Sequence, residues 1–418
     1  MQKLLLATDS FPYGRGEKSF ILPELKRLAE DYDITILCHA DRAEAVAVEL
    51  PETVRVICLG RPVIRIKDKF KALLHYISHR DGWCEIKEIL SNKTNRKERL
   101  YQSLSFYAQA LADEQSLKKS GALSKDESII YYSFWYTYFC YSMVRMKSRY
   151  PNVRIFTRTH GYDLYQERIP GGRQPFRHQM ERRLEKIVFA CEYGRNYYEA
   201  NVRDQNTDPN RLSVCRLGIE PAMRQMPYRE SEVFHLLSCS NVIGLKRLEL
   251  IIDGLAGIED FQVQWTHIGD GEAFENVKRY AAERLDGSEN ISYQFVGYLE
   301  NEAVHEYYMI HQVDCFITTS ATEGGCPVSI QEAMSYGVPV IGTKAGGITE
   351  MMDGNGILLP ENPTGQDVAE AISKMACLEK EGYQEMQRQS LRIWEKEFDI
   401  WKNVININKI IEQISASK

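Results

Sequence analysis

Short apolar runs recur along the first half of the chain and are separated by longer segments with helical spacing. In the segment KSFILPELKRLAEDY, for example, apolar residues return every three or four positions. The runs themselves read KLLLATD, YDITILCHA, VRVICLG, SIIYYSFW, VRIFTRTH, KIVFAC and LSVCRLGI. Nearly continuous apolar strands that alternate with helices are typical of a parallel sheet covered on both faces, because such strands have no polar side.

The same alternation starts again after Glu220 and Pro221. The second series reads FHLLSCSN, VQWTHIGDG, ISYQFVGY, CFITTSA, VPVIGT and GILLP. We therefore predict an α/β protein of two doubly wound Rossmann-like domains, residues 1–222 and 232–390, facing each other across a crevice at the carboxyl ends of both sets of strands. The segment SLRIWEKEFDIWKNVININKIIEQI has a helical period, and it predicts a C-terminal helix within 391–418 that packs back on the N-terminal domain.

Composition narrows the classes of protein that fit this pattern. The chain has 418 residues and a net charge of −6, which argues against nucleic acid as a partner. No apolar run approaches the roughly 18 residues that a membrane helix needs, and the first residues read better as a strand than as a signal peptide. The ten cysteines are scattered without metal-ligand spacing, as expected of buried thiols in a reducing cytoplasm.

Basic residues are concentrated in the first half of the chain. Between Arg61 and Arg99 there are 11 Lys or Arg against 5 Asp or Glu, with apolar and aromatic residues interleaved, and between Tyr141 and Ala190 the count is 11 against 4. Two interpretations stay open for the stretch 61–99. It is either a solvated helical face or a surface for peripheral contact with anionic lipid on the inner face of the plasma membrane.

The stretch SATEGGCPVSIQEAMSYGVPVIGT carries the clearest candidate chemistry. It predicts a strand, a loop with Glu323, and a helix with Pro327 in its first turn and Gly337 at its end, so that Glu332 lies one turn inside the helix. Backbone N–H groups of a small-residue loop at a helix N-terminus can bind an anion. A carboxylate beside such a site can accept two hydrogen bonds from the vicinal hydroxyls of a ribose, although a capping carboxylate in a glycine-rich turn is the structural alternative.

These residues resemble the donor-binding signature of glycosyltransferase family 4, whose members are retaining, metal-independent enzymes of the GT-B fold that use nucleotide sugars. Further similar motifs are FPYGRGEKSF, THGYDLY, SCSNVIGLKRLELIIDGL, IGDGE and FVGYL. The resemblance implies that Glu332 holds the donor ribose and that Glu323 contacts hydroxyls of the transferred sugar. The two glutamates lie one residue further apart than in the family's usual pattern, and Ser240-Asn241 stands where the family has a phosphate-binding arginine.

The chemistry of sugar transfer explains the other candidates. The departing diphosphate gains negative charge, so a fixed cation and N–H groups beside it lower the barrier. The resemblance gives three catalytic candidates, His160, Glu323 and Lys246. We assign Asp163 and Glu17 to the acceptor side, and Asp163 alternatively to a helix cap. The predicted donor-binding set is Gly14, Gly16, Asn241, Lys246, Arg247, Gly324, Gly325, Cys326, Pro327, Val328 and Glu332.

Three weaker motifs keep alternatives open. The segment Gly14–Ser19 resembles a dinucleotide fingerprint and a P-loop but lacks the third glycine and the Gly-Lys step, and Asp41 could bind an NAD ribose as in a dehydrogenase. The tripeptide from Asp31 to Asp33 spells the DxD of metal-dependent sugar transferases, yet it precedes a strand, and we interpret it as a turn.

We therefore expect a glycosyltransferase of bacterial surface polysaccharide synthesis, cytoplasmic and peripheral to the membrane. It needs no cofactor and no metal, and it takes a nucleotide diphosphate sugar, UDP-sugar favoured over GDP-sugar, together with a glycan or lipid-linked acceptor. A nucleotide-sugar epimerase of the same fold and a non-catalytic sugar-nucleotide-binding subunit are the alternatives.

Overall fold

The structure, a computed structural model, describes residues 1–40, 48–91, 94–228 and 232–416. Internal contacts divide the chain into an N-terminal unit, Met1–Cys215 with Val404–Lys418, and a C-terminal unit, Arg216–Asn403. The boundary between the two units lies after Cys215, earlier than the predicted residue 222, because the backbone of Ile219 pairs with Phe398 and Ile400 of the C-terminal unit. Asp41, the candidate for an NAD ribose, lies outside the described residues.

The N-terminal unit is built on a sheet of seven strands, all parallel, in the order β3-β2-β1-β4-β5-β6-β7. Each of the seven predicted apolar runs contains one of them, which confirms the predicted parallel α/β pattern. The strands are β1 Gln2–Thr8, β2 Tyr32–Cys38, β3 Arg55–Cys58, β4 Ile129–Ser133, β5 Val153–Thr159, β6 Lys186–Phe189 and β7 Leu212–Val214.

Within the part of the unit that the structure describes, eight α-helices accompany this sheet. They are α1 Lys18–Asp31, α2 Ile66–Ser78, α3 Arg80–Ser91, α4 Arg96–Lys119, α5 Tyr138–Met146, α6 Gly161–Leu164, α7 Arg177–Glu181 and α8 Glu192–Asn201. The long helix α4 packs against α2 and α5, and Tyr107, Tyr131, Tyr141 and Phe176 form an aromatic core around it. This packing places the outer face of α4 near the carboxyl ends of the strands, where a cavity opens.

The C-terminal unit repeats the arrangement with six parallel strands in the order β10-β9-β8-β11-β12-β13. All six strands of the second predicted series are present. They are β8 Phe234–Cys239, β9 Val263–Ile268, β10 Ile291–Gly297, β11 Cys315–Thr318, β12 Val340–Thr343 and β13 Gly356–Leu359. Its helices include α9 Leu248–Leu255, α10 Phe274–Leu285, α11 Asn301–Ile310, α12 Val328–Ser335, α13 Gly365–Ala376 and α14 Lys380–Glu397, and α15 Ile400–Ala416 begins in this unit and continues in the N-terminal unit.

The C-terminal segment differs from the predicted single helix. It forms two helices, α14 and α15, with a break at Phe398 and Asp399. The break has a local cause, because the Asp399 carboxylate accepts a hydrogen bond from the backbone N–H of Trp401 at 2.9 Å and so starts a new helix. The unit boundary falls inside α15, at Val404 rather than at 391. Beyond it, the Asn408 amide donates to Asp31 at 2.9 Å within the N-terminal unit.

Among the residues that the structure describes, no helix combines the length and the apolar content needed to cross a membrane.

Candidate functional site

The strand order of the C-terminal unit has a switch point between β8 and β11. From β8 the chain moves to one side of the sheet, through β9 to β10, and from β11 to the other, through β12 to β13. In open parallel sheets, ligands bind at the carboxyl ends of the strands beside such a point. The two loops that leave the sheet here carry Lys246 and Glu323, so the topology brings together two residues that lie 77 positions apart in sequence.

Lys246 and Glu323 form an ion pair at this switch point. The Lys246 Nζ lies 2.5 Å from Glu323 Oε1, and the two side chains are 21% and 14% exposed. The backbone around them is fixed, because the Thr319 hydroxyl donates to the carbonyls of Lys246 and Arg247, each at 3.0 Å. Because the Lys246 side chain is already held in position and is still accessible, an incoming phosphate can contact it without a free-energy cost for ordering the lysine.

The loop after β11 has the predicted form. Pro327 is the N-cap of α12, which begins at Val328, and Gly337 ends the helix at φ 74°, which confirms the predicted start and stop. The preceding segment, Gly324 to Cys326, lies against the turn at Gly346. That glycine has φ +53°, and a Cβ there would lie 1.9 Å from the Glu323 carbonyl oxygen. The close backbone contact makes Gly346 a determinant of the loop, which the sequence analysis did not identify.

Cys326 has a structural role within this loop. Its side chain is buried, and its Sγ lies 3.6 Å from the carbonyl oxygen of Gly347, while its own carbonyl accepts a hydrogen bond from the Gln331 amide at 3.0 Å. Only the backbone of Cys326 is therefore suited to bind a ligand at the N-terminus of α12.

Glu332 is buried one turn into α12, at 4% exposure. Burial raises the pKa of Glu332 to about 7. A hydrogen bond from the Asn301 amide favours the ionised form and partly opposes this shift. Asn301 is the first residue of α11 and was not identified from the sequence, although its position two residues after the FVGYL motif was the available signal. A buried carboxylate with one oxygen engaged by an amide still has acceptor capacity for a ligand hydroxyl.

Arg247 has a structural role in the loop after β8. Its backbone is left-handed at φ 49°, and its guanidinium donates to the carbonyl oxygens of Thr319 at 2.7 Å and of Ser320 and Glu361 at 3.1 Å each. These hydrogen bonds connect neighbouring loops, and phosphate binding by Arg247 stays a prediction. Asn241, by contrast, is exposed in the loop after β8.

In the N-terminal unit, Glu17 organises the loop after β1. Its carboxylate accepts hydrogen bonds from the backbone N–H groups of Ser10 at 2.5 Å and Phe11 at 2.7 Å and from the indole N–H of Trp135, and it is 4% exposed. Gly14 belongs to the same loop, since a Cβ there would lie 2.2 Å from Ser10 Oγ, whereas Gly16 is exposed. The carboxylate oxygens of Glu17 are already used by the protein, and the assignment of Glu17 to an acceptor stays a prediction.

His160 lies at the carboxyl end of β5, between the rings of Phe134 and Trp135, at centroid distances of 4.8 and 4.5 Å. Both ring nitrogens are buried and have no hydrogen-bond partner within the described ranges. Burial, and secondarily the charge of Arg158, lowers the pKa of His160 to about 3, so the ring is neutral at physiological pH. A neutral imidazole without a protein partner is suited to hydrogen bond with a ligand.

Asp163 caps the turn that follows His160. One carboxylate oxygen accepts from the backbone N–H of His160 at 2.6 Å and from the Thr159 hydroxyl at 2.9 Å, and the other accepts from the backbone N–H of Tyr136 at 2.6 Å. Burial raises the pKa of Asp163 to about 6. These hydrogen bonds give Asp163 the role of a cap, and its contact with an acceptor stays a prediction.

A cavity of about 560 Å³ opens within the N-terminal unit, beside the switch point between β1 and β4. Polar groups from Asp9, Gln102, Gln109 and Gln174 alternate on its wall with aromatic rings such as Phe106, Trp135, Tyr138 and Tyr162. Ring faces combined with amide and carboxylate groups match the alternating apolar faces and hydroxyls of a carbohydrate.

A charged cluster lies in the floor of this cavity. His39 Nε2 lies 3.0 Å from Asp113 and its Nδ1 lies 3.6 Å from Asp9, which also pairs with Arg61 at 2.9 Å. Burial disfavours the imidazolium, but the hydrogen bonds to Asp113 and Asp9 outweigh it and raise the pKa of His39 to about 9. This cluster has no signal in the sequence, since its four members come from four separate segments.

No group of three or more potential metal-ligating side chains is found across residues 1–40, 48–91, 94–228 and 232–416. The Asp31–Asp33 tripeptide lies at the junction of α1 and β2, at the amino end of the strand, and Asp33 pairs with Arg55 at 2.8 Å. The helix ends at Asp31 and the strand begins at Tyr32, so the interpretation as a turn is wrong, because the tripeptide joins the two elements directly. Independence of metal stays a prediction.

Glu332→Ala is expected to weaken the binding of nucleoside diphosphates and nucleotide sugars alike, by about 1.5–3 kcal/mol, because a charged acceptor of two ribose hydrogen bonds is lost. Titration calorimetry measures this change. The matched control is Glu302→Ala, which removes an exposed carboxylate on α11 beside Asn301 and should leave the affinity unchanged. Unchanged affinity in folded Glu332→Ala would remove the assignment.

The same carboxylate should give nucleotide binding a characteristic pH dependence. Ribose hydroxyls bind the ionised form, and the pKa of Glu332 is raised to about 7, so affinity rises as the pH increases through that value. Glu332→Gln has no carboxyl group to titrate at this position. Its pH profile of affinity should therefore lack this contribution and keep the one from ionisation of the diphosphate, which both proteins share. Identical profiles for the two proteins would contradict a raised pKa at Glu332.

The C-terminal unit is similar in sequence to known proteins. Residues 234–377 match the family model for glycosyl transferases group 1. An uncharacterised glycosyltransferase of Methanocaldococcus jannaschii is 23% identical over 233 residues, covering 55% of this chain and 60% of the relative. The amylovoran biosynthesis glycosyltransferase AmsK of Erwinia amylovora is 28% identical over 162 residues, covering 36% of this chain and 39% of the relative. The chain thus spans less than two thirds of the length of each of these curated relatives.

Solved structures resemble the chain over its whole length. HepE of Anabaena, in complex with UDP and glucose, has a TM-score of 0.69 at 16% identity, covering 99% of this chain and 100% of that chain. A glycosyltransferase from Rickettsia africae has a TM-score of 0.69 at 13% identity, covering 100% and 99%. Within the C-terminal unit the sequence is thus similar to the glycosyl transferases group 1 family, and the structural likeness gives the chain the GT-B fold.

Proposed function

We propose that this protein is a retaining, metal-independent glycosyltransferase. It moves a sugar from a nucleotide diphosphate sugar, UDP-sugar favoured over GDP-sugar, to a glycan or lipid-linked glycan of bacterial surface polysaccharide. The observation that carries the proposal is the Lys246–Glu323 pair at the switch point of the C-terminal unit, with Glu332 buried one helical turn further on. The choice of UDP is supported by the complex of HepE with UDP and glucose, and the choice of pathway by the name of AmsK.

Each residue of the C-terminal unit has a distinct task in this proposal. Glu332 accepts hydrogen bonds from the ribose, and the backbone N–H groups at the start of α12 face the diphosphate together with Lys246. Glu323 exchanges its ion pair with Lys246 for hydroxyls of the transferred sugar. Phosphate binding therefore releases Glu323 at the moment when the sugar arrives.

The reaction breaks the bond between the anomeric carbon and the diphosphate oxygen and forms a bond to the acceptor oxygen on the same face. The acceptor's proton passes to the leaving phosphate oxygen, so no separate base is needed. The structure supports this choice for the N-terminal loop, since Glu17 is saturated by N–H donors and Asp9 is paired with Arg61. His160, neutral and without a protein partner in the described chain, donates a hydrogen bond to the sugar.

The acceptor is proposed to bind in the cavity of the N-terminal unit. Rings such as Trp135 and Tyr138 would stack on sugar faces, and the amides of Gln102 and Gln109 would bind hydroxyls. The protonated His39 and Arg61 balance the carboxylates of Asp9 and Asp113, so the cavity accepts a neutral glycan without an uncompensated charge.

Transfer is expected to persist in excess EDTA and to give a product with the anomeric configuration of the donor. A diphosphate is neutralised either by a divalent ion or by protein cations and helix dipoles, and the second set is present here as Lys246 and α12. The release of nucleoside diphosphate, measured with and without EDTA, tests the first claim, metal independence. The NMR coupling constant at the new anomeric centre tests the second claim, retention. Activity lost in EDTA and restored by Mg²⁺ or Mn²⁺ would defeat the first, and an inverted anomer the second.

A further inference from the structure

The helical hairpin of α2 and α3 presents an apolar stripe to solvent. Within α2 the stripe consists of Ile66, Phe70, Leu73, Leu74 and Ile77, whose spacing of three and four residues places them on one helix face, and their exposed fractions range from 39% to 88%. The side of α2 that packs on the protein is narrower and contains Ala72 and Tyr76. The usual arrangement of a surface helix, with its apolar face inward, is thus reversed.

The second helix of the hairpin continues the same pattern. Trp83 and Leu90 of α3 are 52% and 56% exposed and lie seven positions apart, with the exposed Lys87 between them on the same face. Contiguous apolar side chains on this scale are rare on the surface of a monomer and mark a binding surface.

Exposed cations border the stripe, whereas the acidic residues of α3 face inward and Asp68 of α2 accepts a hydrogen bond from the backbone N–H of Arg65 at the start of its own helix. The cations are Lys67, Lys69, Lys71, Arg80 and Lys87. Asp81 is buried and pairs with Arg183 at 2.6 Å, Glu85 is buried and pairs with Arg173, and Glu88 pairs with Arg173 at 2.8 Å and with His178 at 2.9 Å. The inward ion pairs hold the hairpin on the protein and leave its outer surface with an excess of positive charge.

From this geometry we infer that the α2–α3 hairpin is a docking surface for an anionic lipid bilayer. Apolar side chains with an exposed tryptophan enter the boundary between headgroups and acyl chains, and lysines along both edges of the stripe contact the anionic headgroups. A second copy of the chain is a poorer occupant, because two such basic faces would repel each other. The inference does not depend on the proposed function, since it concerns a surface whose binding is measured without turnover.

Co-sedimentation of the purified full-length protein with vesicles of phosphatidylglycerol and phosphatidylcholine tests the inference. We expect binding that weakens with salt and is lost when phosphatidylglycerol is omitted. Neutralising Lys67, Lys69, Lys71 and Arg80 to glutamine should reduce the affinity by about fivefold for each cation removed. The triple variant Phe70→Ser, Leu74→Ser and Ile77→Ser should reduce it by at least about tenfold. These side chains are exposed, so both variants should keep the thermal stability of the parent protein.

The matched control lies on the C-terminal unit and combines Ile310→Ser with Lys278→Gln and Arg279→Gln. It removes an apolar side chain that is 76% exposed and two exposed cations, and it should bind vesicles like the parent protein. Three results would overturn the inference: no binding to anionic vesicles at low salt, equal binding by the hairpin variants and the parent, or a hairpin-dependent dimer in sedimentation without vesicle binding. Each can occur with sugar transfer intact, so it is distinguishable from failure of the proposed function.

Discussion

Lys246→Ala is expected to lower kcat/KM by roughly 10²–10³-fold, the usual effect of removing one group that stabilises charge developing in the transition state. Lys246 is the cation at the switch point of the C-terminal unit, and its Nζ contacts Glu323 at 2.5 Å. The diphosphate gains negative charge as the anomeric bond breaks, so the loss should appear in kcat as well as in donor affinity. Steady-state kinetics with a nucleotide sugar and a purified acceptor measure both.

Two further variants separate charge from position at Lys246. Lys246→Arg keeps the charge and should recover part of the activity, whereas Lys278→Ala, on the exposed face of α10, should behave like the parent protein. If folded Lys246→Ala keeps the kcat/KM of the parent, the diphosphate is neutralised elsewhere and the proposed site is wrong.

His160→Ala is expected to lower kcat by about 10²-fold while the dissociation constant for free nucleoside diphosphate stays nearly the same. The reason is that the proposed contact is with the sugar, to which the buried ring offers a nitrogen that no described residue engages. Because the pKa of His160 is lowered to about 3, its ring stays neutral, and it should add no inflection to the pH profile of kcat near neutrality. Kinetics and calorimetry on the same preparation give the two quantities.

His160→Phe provides the control for packing. A phenyl ring keeps the contacts with Phe134 and Trp135 but cannot form a hydrogen bond, so it should be as impaired as His160→Ala. Wild-type kcat in His160→Phe, or equal losses in turnover and nucleotide binding in His160→Ala, would show that the histidine is structural.

The sequence predicted the strands and the loop of the donor site because both depend on local patterns. Each apolar run corresponds to a strand, and Pro327 and Gly337 mark the start and the end of the predicted helix. The break between α14 and α15 was missed, since the helical period continues through Phe398 and Asp399 and only the cap interrupts it.

Side-chain roles were less predictable, because they depend on donors that arrive from distant segments. Glu17 and Glu332 are both buried carboxylates next to a loop, yet Glu17 is saturated by the backbone of its own loop and by Trp135, 118 positions away, whereas Glu332 is engaged by Asn301. Arg247 was predicted to bind phosphate from its position beside Lys246, but its direction is set by carbonyls of Thr319 and Ser320. Residue type and spacing do not contain that information.

The central claim, that the site of Lys246, Glu323 and Glu332 binds a nucleotide diphosphate sugar, is tested most directly by thermal unfolding of the parent protein and of Glu332→Ala against UDP-, GDP-, ADP- and CMP-sugars. A ligand at 100 times its dissociation constant stabilises the folded state by about 2.7 kcal/mol, which is several degrees for a domain of this size. The account predicts that UDP-sugars stabilise the parent protein most and that Glu332→Ala loses about half or more of this shift at the same concentration. No stabilisation by any nucleotide sugar, or an equal shift in Glu332→Ala, would contradict it.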